Sequence, residues 1–218
     1  MLPNNLKQLK RMLRYKRPHG SATEQEFIED FLLPLDMQQD KFGNLSKKVG
    51  DSLVIWSSHI DTVHTEDGFQ RVVHDQEYGT FRLPYKSASN CLGADCTTGV
   101  WLMIQMINAG VEGLYIFHRG EECGGLGSSW IAQNRRKEIS KYQCAIAFDR
   151  FGVDSVVTHQ GLRCCSDDFA YSLALLLNGN FHPDNTGLYT DTAEYTSLVP
   201  ECTNISVGYG GHHTKHEV

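Results

Sequence analysis

The chain has 218 residues, a length that suits one large domain or at most one and a half. Hydrophobic residues make up 40% of it, enough to build a core, and the formal net charge is -6. An acidic chain lacks the basic face that non-specific nucleic-acid binding needs, so no nucleic-acid partner is expected. No apolar run reaches about 18 residues, so no association with a membrane is expected either.

The N-terminal residues and the cysteines indicate the cellular compartment in which the protein is expected. The basic residues at the start are not followed by a continuous apolar segment, so no secretion signal is expected. The seven cysteines are odd in number and include no Cys-x-x-Cys pair. They are interpreted as reduced thiols, mostly small buried hydrophobes, and the protein is therefore predicted to be cytoplasmic.

The first part of the chain predicts two helices and a turn. Leucines recur at helical spacing over 6–13, which indicates an amphipathic helix. Thr23 and Glu26 match a capping box and predict the start of a second helix, which Pro34 ends. Residues 40–45 contain a turn signal between two short strands.

The rest of the chain alternates strands with helices. The short apolar run at 53–56 predicts a buried strand, and further strands are predicted at 114–117, 144–148 and 203–207. A polar hairpin is expected within 69–90, and helices at 97–109, 125–136, 169–177 and 191–198. This order predicts an α/β fold with a mixed, mainly parallel central sheet flanked by helices on both faces. No repeat or linker interrupts 1–218, which is expected to form a single domain.

The chemically informative side chains follow the ends of the predicted strands. In chain order they are His59 and Asp61, Asp95, Glu121 and Glu122, Asp149, and His212 and His213. Ligands of open α/β sheets bind beyond the carboxyl ends of the strands. Carboxylates gathered there repel each other unless cations intervene, and imidazole with carboxylate suits zinc. Two histidines and three carboxylates suffice for two ions with one shared carboxylate, a standard device for activating water.

Five ordered motifs carry a resemblance to a known group of enzymes. They are Ser58-His59-Ile60-Asp61-Thr62-Val63, Leu92-Gly93-Ala94-Asp95, Gly120-Glu121-Glu122-Cys123-Gly124-Gly125-Leu126-Gly127-Ser128, Phe148-Asp149 and His213-Thr214-Lys215-His216-Glu217. Together they resemble the motifs of the co-catalytic zinc exopeptidases, aminopeptidases and carboxypeptidases with a phosphorylase/hydrolase-like α/β domain. The resemblance spans nearly the whole chain.

The resemblance implies two zinc ions per chain, although Co²⁺ or Mn²⁺ can take the same ligands. It implies that one ion is held by His59 and Asp149, that the other is held by Glu122 and His213, and that Asp95 bridges them.

Two further roles are implied for carboxylates that bind no metal. Asp61 is implied to fix the tautomer and orientation of His59, and Glu121 to act as the general base.

The resemblance also bears on the substrate. Too few residues separate Asp149 from His213 for the lid or dimerisation domain that many relatives carry there. The chain thus resembles the single-domain members, mostly aminopeptidases, and a small peptide or amino acid derivative is the expected substrate. A carboxypeptidase, an N-acyl amino acid deacylase and a non-catalytic binding module are the alternatives. The sequence departs from the pattern at Cys96, commonly an acid, and lacks the expected closing helix after the last motif.

Several side chains keep alternative interpretations. His212 competes with His213, and His64 competes for a different metal site. Arg150 and Arg163 suit either recognition of a substrate carboxylate or plain solvation. Asp191 suits either contact with a substrate amine or capping of a short helix, and the sequence does not decide between these roles.

Overall fold

The computed structural model describes residues 2–177 and 180–218. Within these residues, no helix is both long and apolar enough to cross a membrane. The helices are α1 (Asn4–Met12), α2 (Ala22–Phe27), α3 (Ala94–Asn108), α4 (Leu126–Asn134), α5 (Arg136–Ile139) and α6 (Asp167–Leu176). A π-turn (Ile28–Leu32) and a short 3₁₀ segment (Leu33–Leu35) extend α2, and a 3₁₀ helix covers Asp191–Tyr195.

Within 2–177 and 180–218, fourteen short strands form one large sheet and three small ribbons. They are β1 (Tyr15–Lys16), β2 (Gln38–Gln39), β3 (Leu45–Val49), β4 (Val54–His59), β5 (Gly68–Phe69), β6 (Val73–Asp75), β7 (Thr80–Arg82), β8 (Gly113–His118), β9 (Cys144–Arg150), β10 (Ser155–Val157), β11 (His159–Gln160), β12 (Leu162–Arg163), β13 (His182–Asp184) and β14 (Glu201–Ser206). The large sheet has the order β13-β10-β14-β9-β4-β8-β3-β2.

The centre of the large sheet is parallel. Strands β14, β9, β4 and β8 run parallel to one another, while β3 and β2 continue the sheet in antiparallel pairing. On the far side, β10 pairs antiparallel with β14 and parallel with β13. The predicted mixed, mainly parallel sheet is confirmed, and the predicted polar hairpin corresponds to β6 and β7.

The strand β8 shows why the sheet is covered on both faces. Successive side chains of a strand point to opposite faces, and every residue of β8 is buried. Tyr115 and Phe117 join a core that contains residues of α3 and α6. Leu114 and Ile116 join a second core that includes Ile131 of α4. Burial on both faces explains the continuous apolar run in the sequence.

The N-terminal segment differs from its prediction in one detail. The capping box predicted at Thr23 and Glu26 is wrong, since the Ser21 side chain caps α2 by accepting the N–H of Glu24 at 3.1 Å. The Glu24 carboxylate in turn accepts the N–H of Gly20 at 2.7 Å. The pairs Ser21–Glu24 and Thr23–Glu26 have the same spacing. Ser21 has the extended backbone of an N-cap residue, whereas Thr23 lies inside α2.

A buried arginine ties this segment to the edge of the sheet. Arg17 is fully buried and lies with its guanidinium 4.0 Å from the ring centroid of Phe27. Its Nε donates to the carbonyl of Ile60 at 2.7 Å, and its Nη2 donates to Thr97 Oγ1 at 2.7 Å. Arg17 thereby connects the loop after β4 with the first turns of α3.

Helix α3 approaches the sheet most closely at Gly99. A Cβ atom at this position would lie 2.0 Å from the Phe148 carbonyl oxygen and 2.6 Å from Cys96 Sγ. The missing side chain therefore lets the start of α3 pack directly on β9.

We expect Gly99→Ala to destabilise the protein by about 1–3 kcal/mol, because the added methyl group forces α3 away from the sheet. The measurement is the midpoint of urea unfolding followed by circular dichroism. Gly210→Ala is the matched control, since its Cβ would meet nothing within 4 Å. Equal midpoints for the two variants would contradict this account of the packing.

Candidate metal and catalytic site

The parallel strands end at one edge of the sheet and place the predicted site residues there. His59 is the last residue of β4, and its Cα pairs in register with that of His118 at the end of β8. The Gly120-Glu121-Glu122 turn follows β8 after Arg119, and Asp149 lies near the end of β9. A cavity of about 110 Å³ opens at this edge, lined in part by Asp95, Glu121, Glu122, Asp149 and His213.

His59 presents one ring nitrogen to two carboxylates. Its side chain is 1% exposed, and its Nδ1 lies 3.0 Å from the backbone carbonyl of Asp61. A carbonyl oxygen only accepts, so Nδ1 carries a proton and Nε2 is the ring nitrogen that faces the carboxylates. This Nε2 lies 3.1 Å from Asp95 Oδ1 and 3.2 Å from Asp149 Oδ1.

Asp95 lies between the two histidines. Its second oxygen, Oδ2, lies 3.2 Å from His213 Nε2, so its carboxylate spans His59 and His213. His213 Nε2 also lies 3.1 Å from Glu122 Oε1, a buried oxygen without a hydrogen-bond partner among the described residues. Ligand atoms of Asp95, Glu122 and His213 fall within 4.8 Å of one another, the spacing of a metal site.

Asp61 acts on the site through two different groups. Its carbonyl orients His59, whereas its carboxylate lies 3.8 Å from the nearer ring nitrogen. The carboxylate instead accepts backbone N–H groups of Gly120 at 2.8 Å, Glu121 at 3.1 Å and Glu122 at 3.2 Å. A turn held in this way can direct two adjacent carboxylates inward, which extended backbone would not allow.

Asp149 is held by residues that the sequence did not single out. Thr190 Oγ1 donates to Asp149 Oδ2 at 2.5 Å, and the Asp149 N–H donates to Asn204 Oδ1 at 2.9 Å. Tyr209 donates to the Asp149 carbonyl at 2.8 Å. No local pattern marks these residues, because each contact joins positions distant in sequence.

The cluster concentrates negative charge in a buried space. Burial, together with the neighbouring carboxylates, raises the pKa of Glu121 to about 9. Burial also raises the pKa of Asp149 to about 7, with Asp95 contributing. The adjacent Asp95 and Glu122 carboxylates raise the pKa of His213 to about 10. Glu121 and Asp149 thus resist ionisation in the absence of a cation, whereas the pKa of Asp95, which contacts both histidines, is lowered.

The other candidate side chains make contacts outside the carboxylate cluster, although His212 and Arg150 also line the cavity. His212 stacks on Phe151 with ring centroids 4.9 Å apart, and His64 bonds to Thr62 and to the Cys91 carbonyl. Arg150 donates to Asp184 at 3.1 Å, and Arg163 bonds to Asp167 on the surface.

Asp191 does not cap its short helix and instead lies buried beside a histidine. It is 1% exposed, and its Oδ2 lies 3.2 Å from His118 Nδ1. The position that caps its short helix belongs to Thr190, whose side chain makes no capping bond.

Solved structures of other proteins share the fold of this chain. No protein-family profile and no curated protein matches the sequence. Aminopeptidase PepT from Bacillus cereus aligns over 98% of this chain and 92% of its own, with a TM-score of 0.76 and 12% identity. The TET1 peptidase of Pyrococcus horikoshii aligns over 98% and 94%, with a TM-score of 0.69 and 16% identity. An aminopeptidase from the archaeon Desulfurococcus kamchatkensis aligns over 98% and 89%, with a TM-score of 0.71 and 13% identity.

The chain therefore has the fold of these aminopeptidases and peptidases. The resemblance to the co-catalytic exopeptidases, predicted from the five motifs, is confirmed at the level of the fold.

We expect Asp61→Asn to lower peptide hydrolysis by at least about tenfold, because its amide group would face the Glu122 N–H and release the turn. The measurement is kcat on a peptide substrate, with folding checked by circular dichroism. Asp40→Asn is the matched control, since Asp40 Oδ1 also accepts three backbone N–H groups, in the turn before β3. Equal loss of activity in both variants would contradict the role of the Asp61 carboxylate.

Proposed function

We propose that this protein is a two-zinc exopeptidase that removes residues from the amino end of small peptides. The observation that carries the proposal is the convergence of two histidine nitrogens on a shared carboxylate, Asp95, at distances of 3.1 and 3.2 Å. The peptidase fold supports the same conclusion independently.

The donor set fits two zinc ions. In the proposed arrangement His59 and Asp149 hold one ion, Glu122 and His213 hold the other, and Asp95 binds both. The Glu122 Oε1 atom, which lies 3.1 Å from His213 Nε2 and makes no well-aligned hydrogen bond among the described residues, supports the second set because both atoms can turn to one ion. Nitrogen and oxygen donors with open positions are the ligands expected of catalytic zinc.

Bound zinc supplies the Lewis acidity that activates water and polarises the scissile carbonyl. Glu121 is proposed to accept a proton from the attacking water and to deliver it to the leaving nitrogen. It lines the cavity next to Glu122, and the Asp61 carboxylate fixes its backbone. Burial and the neighbouring carboxylates raise its pKa, and two cations bound beside it would lower that pKa again toward the range of a general base.

The charges around the cavity favour the amino end of a peptide. A carboxypeptidase or an N-acyl amino acid deacylase needs a cation that is free to hold the substrate carboxylate. Among the described residues lining the cavity, the only arginine is Arg150, which is 7% exposed and already bonded to Asp184 and Thr186. A peptide held by its amino end places no carboxylate in this cavity and so needs no such cation.

We expect Glu121→Gln to lower kcat by about 10²–10⁴-fold, because the amide cannot take a proton from water. The zinc content should stay at two ions per chain, measured by atomic emission on the purified protein. Glu66→Gln, at an exposed carboxylate away from the cavity, is the control and should retain activity. A Glu121→Gln protein with both ions and full activity would refute the general-base assignment.

We expect amino acid amides and short peptides with a free α-amine to be hydrolysed, and their N-acetylated counterparts to resist. The measurement is product release from a matched panel that also contains N-acyl amino acids. Faster cleavage of the N-acyl amino acids would instead identify a deacylase or carboxypeptidase. If the zinc-loaded protein hydrolyses no compound of this panel, the result would favour a non-catalytic binding module.

A further inference from the structure

Glu217 is a buried carboxylate that the proposed chemistry does not use. It lies four residues after His213, and its side chain is 1% exposed. Its Oε2 accepts the backbone N–H groups of Leu92 at 2.9 Å and Gly93 at 2.8 Å. Its Oε1 accepts the N–H of Asp95 at 3.0 Å. The contacts join the last motif of the sequence to the loop that carries the shared carboxylate.

The loop that receives these bonds has no capping side chain of its own. Gly93 occupies the N-cap position of α3 in a left-handed conformation and offers no side chain. Asp95 has the non-helical angles φ -76 and ψ 107, so the following helix does not dictate its direction. Glu217 therefore fixes a backbone segment that its own sequence leaves unsatisfied.

The direction of Asp95 matters because its two oxygens serve different partners. Oδ1 faces His59, and Oδ2 faces His213. A rotation of the backbone at Asp95 would aim one oxygen away from its histidine.

The same C-terminal segment that carries Glu217 also carries His213. His213 has a positive φ of 62, which costs a residue with a side chain conformational energy. The segment 210–218 is closed by paired backbone bonds between Gly210 and Val218, and by the bond from Glu217 N to the Thr214 carbonyl. Anchoring Glu217 against Leu92 and Asp95 thereby positions the whole turn that presents His213.

We propose that Glu217 is a positioning residue that sets Asp95 and His213 in register for metal binding. The inference rests on the proposed two-metal centre. A helix cap alone would stabilise the fold, whereas a positioning residue controls the affinity of the site for metal.

The test is a zinc titration of the metal-free, full-length protein against a chromogenic chelator, with folding monitored by circular dichroism. Glu217→Gln replaces one accepting oxygen with an amide group that donates, and should weaken binding of at least one zinc ion by about 10–100-fold. Glu201→Gln is the matched control, because its carboxylate bonds to Ser166 at the start of α6, away from the cavity. This control should bind zinc as the wild type does.

Wild-type zinc affinity in Glu217→Gln, with only a lowered melting temperature, would reduce Glu217 to a cap and overturn the inference. If Glu217→Gln does not fold, Glu217→Asp decides, because it keeps the charge and shortens the reach by one methylene. Weaker zinc binding by this variant supports positioning, and unchanged binding overturns it. A wild-type protein that binds no zinc would overturn the metal centre itself, and this inference with it.

Discussion

Parallel pairing of β4 with β8 on one side and with β9 on the other sets the spacing at the site. Parallel strands end at the same edge of a sheet and lie about 4.8 Å apart. His59, the Glu121–Glu122 turn and Asp149 are therefore delivered to neighbouring points by the sheet alone. A loop scaffold would have to fix each of these positions separately, whereas the sheet fixes them through its backbone ladder.

The remaining problem for the fold is electrostatic, because several carboxylates lie close together out of water. Two of them, Asp61 and Glu217, bind three backbone N–H groups each. Such bonds compensate a buried charge without any positively charged side chain. The carboxylates that face the cavity are left without equivalent donors, and in the proposed function metal ions provide the compensation. Asp61 and Glu217 thus stabilise turns through their charge, whereas the carboxylates that face the cavity are those proposed to bind metal.

The sequence alone determined the fold class and the grouping of the polar residues. The strands predicted at 53–56, 114–117, 144–148 and 203–207 correspond to β4, β8, β9 and β14 within a few residues. Strands buried on both faces are mostly apolar, so the pattern is strongest in β8, whereas β14 also buries Thr203, Asn204 and Ser206. Polar motifs directly after such strands meet at one edge in any parallel arrangement, which is why the order of motifs predicted one site.

Tertiary structure alone decided which atoms meet. His213, which has a positive φ angle, approaches Asp95, whereas His212 stacks on Phe151, and two adjacent histidines in a sequence do not reveal this difference. The carboxylate of Asp61 binds the turn after β8 instead of the His59 ring, and Glu217 reaches Asp95 from the opposite end of the chain. Local patterns report periodicity and turns, whereas these contacts depend on how distant segments pack and on the direction in which each backbone points its side chains.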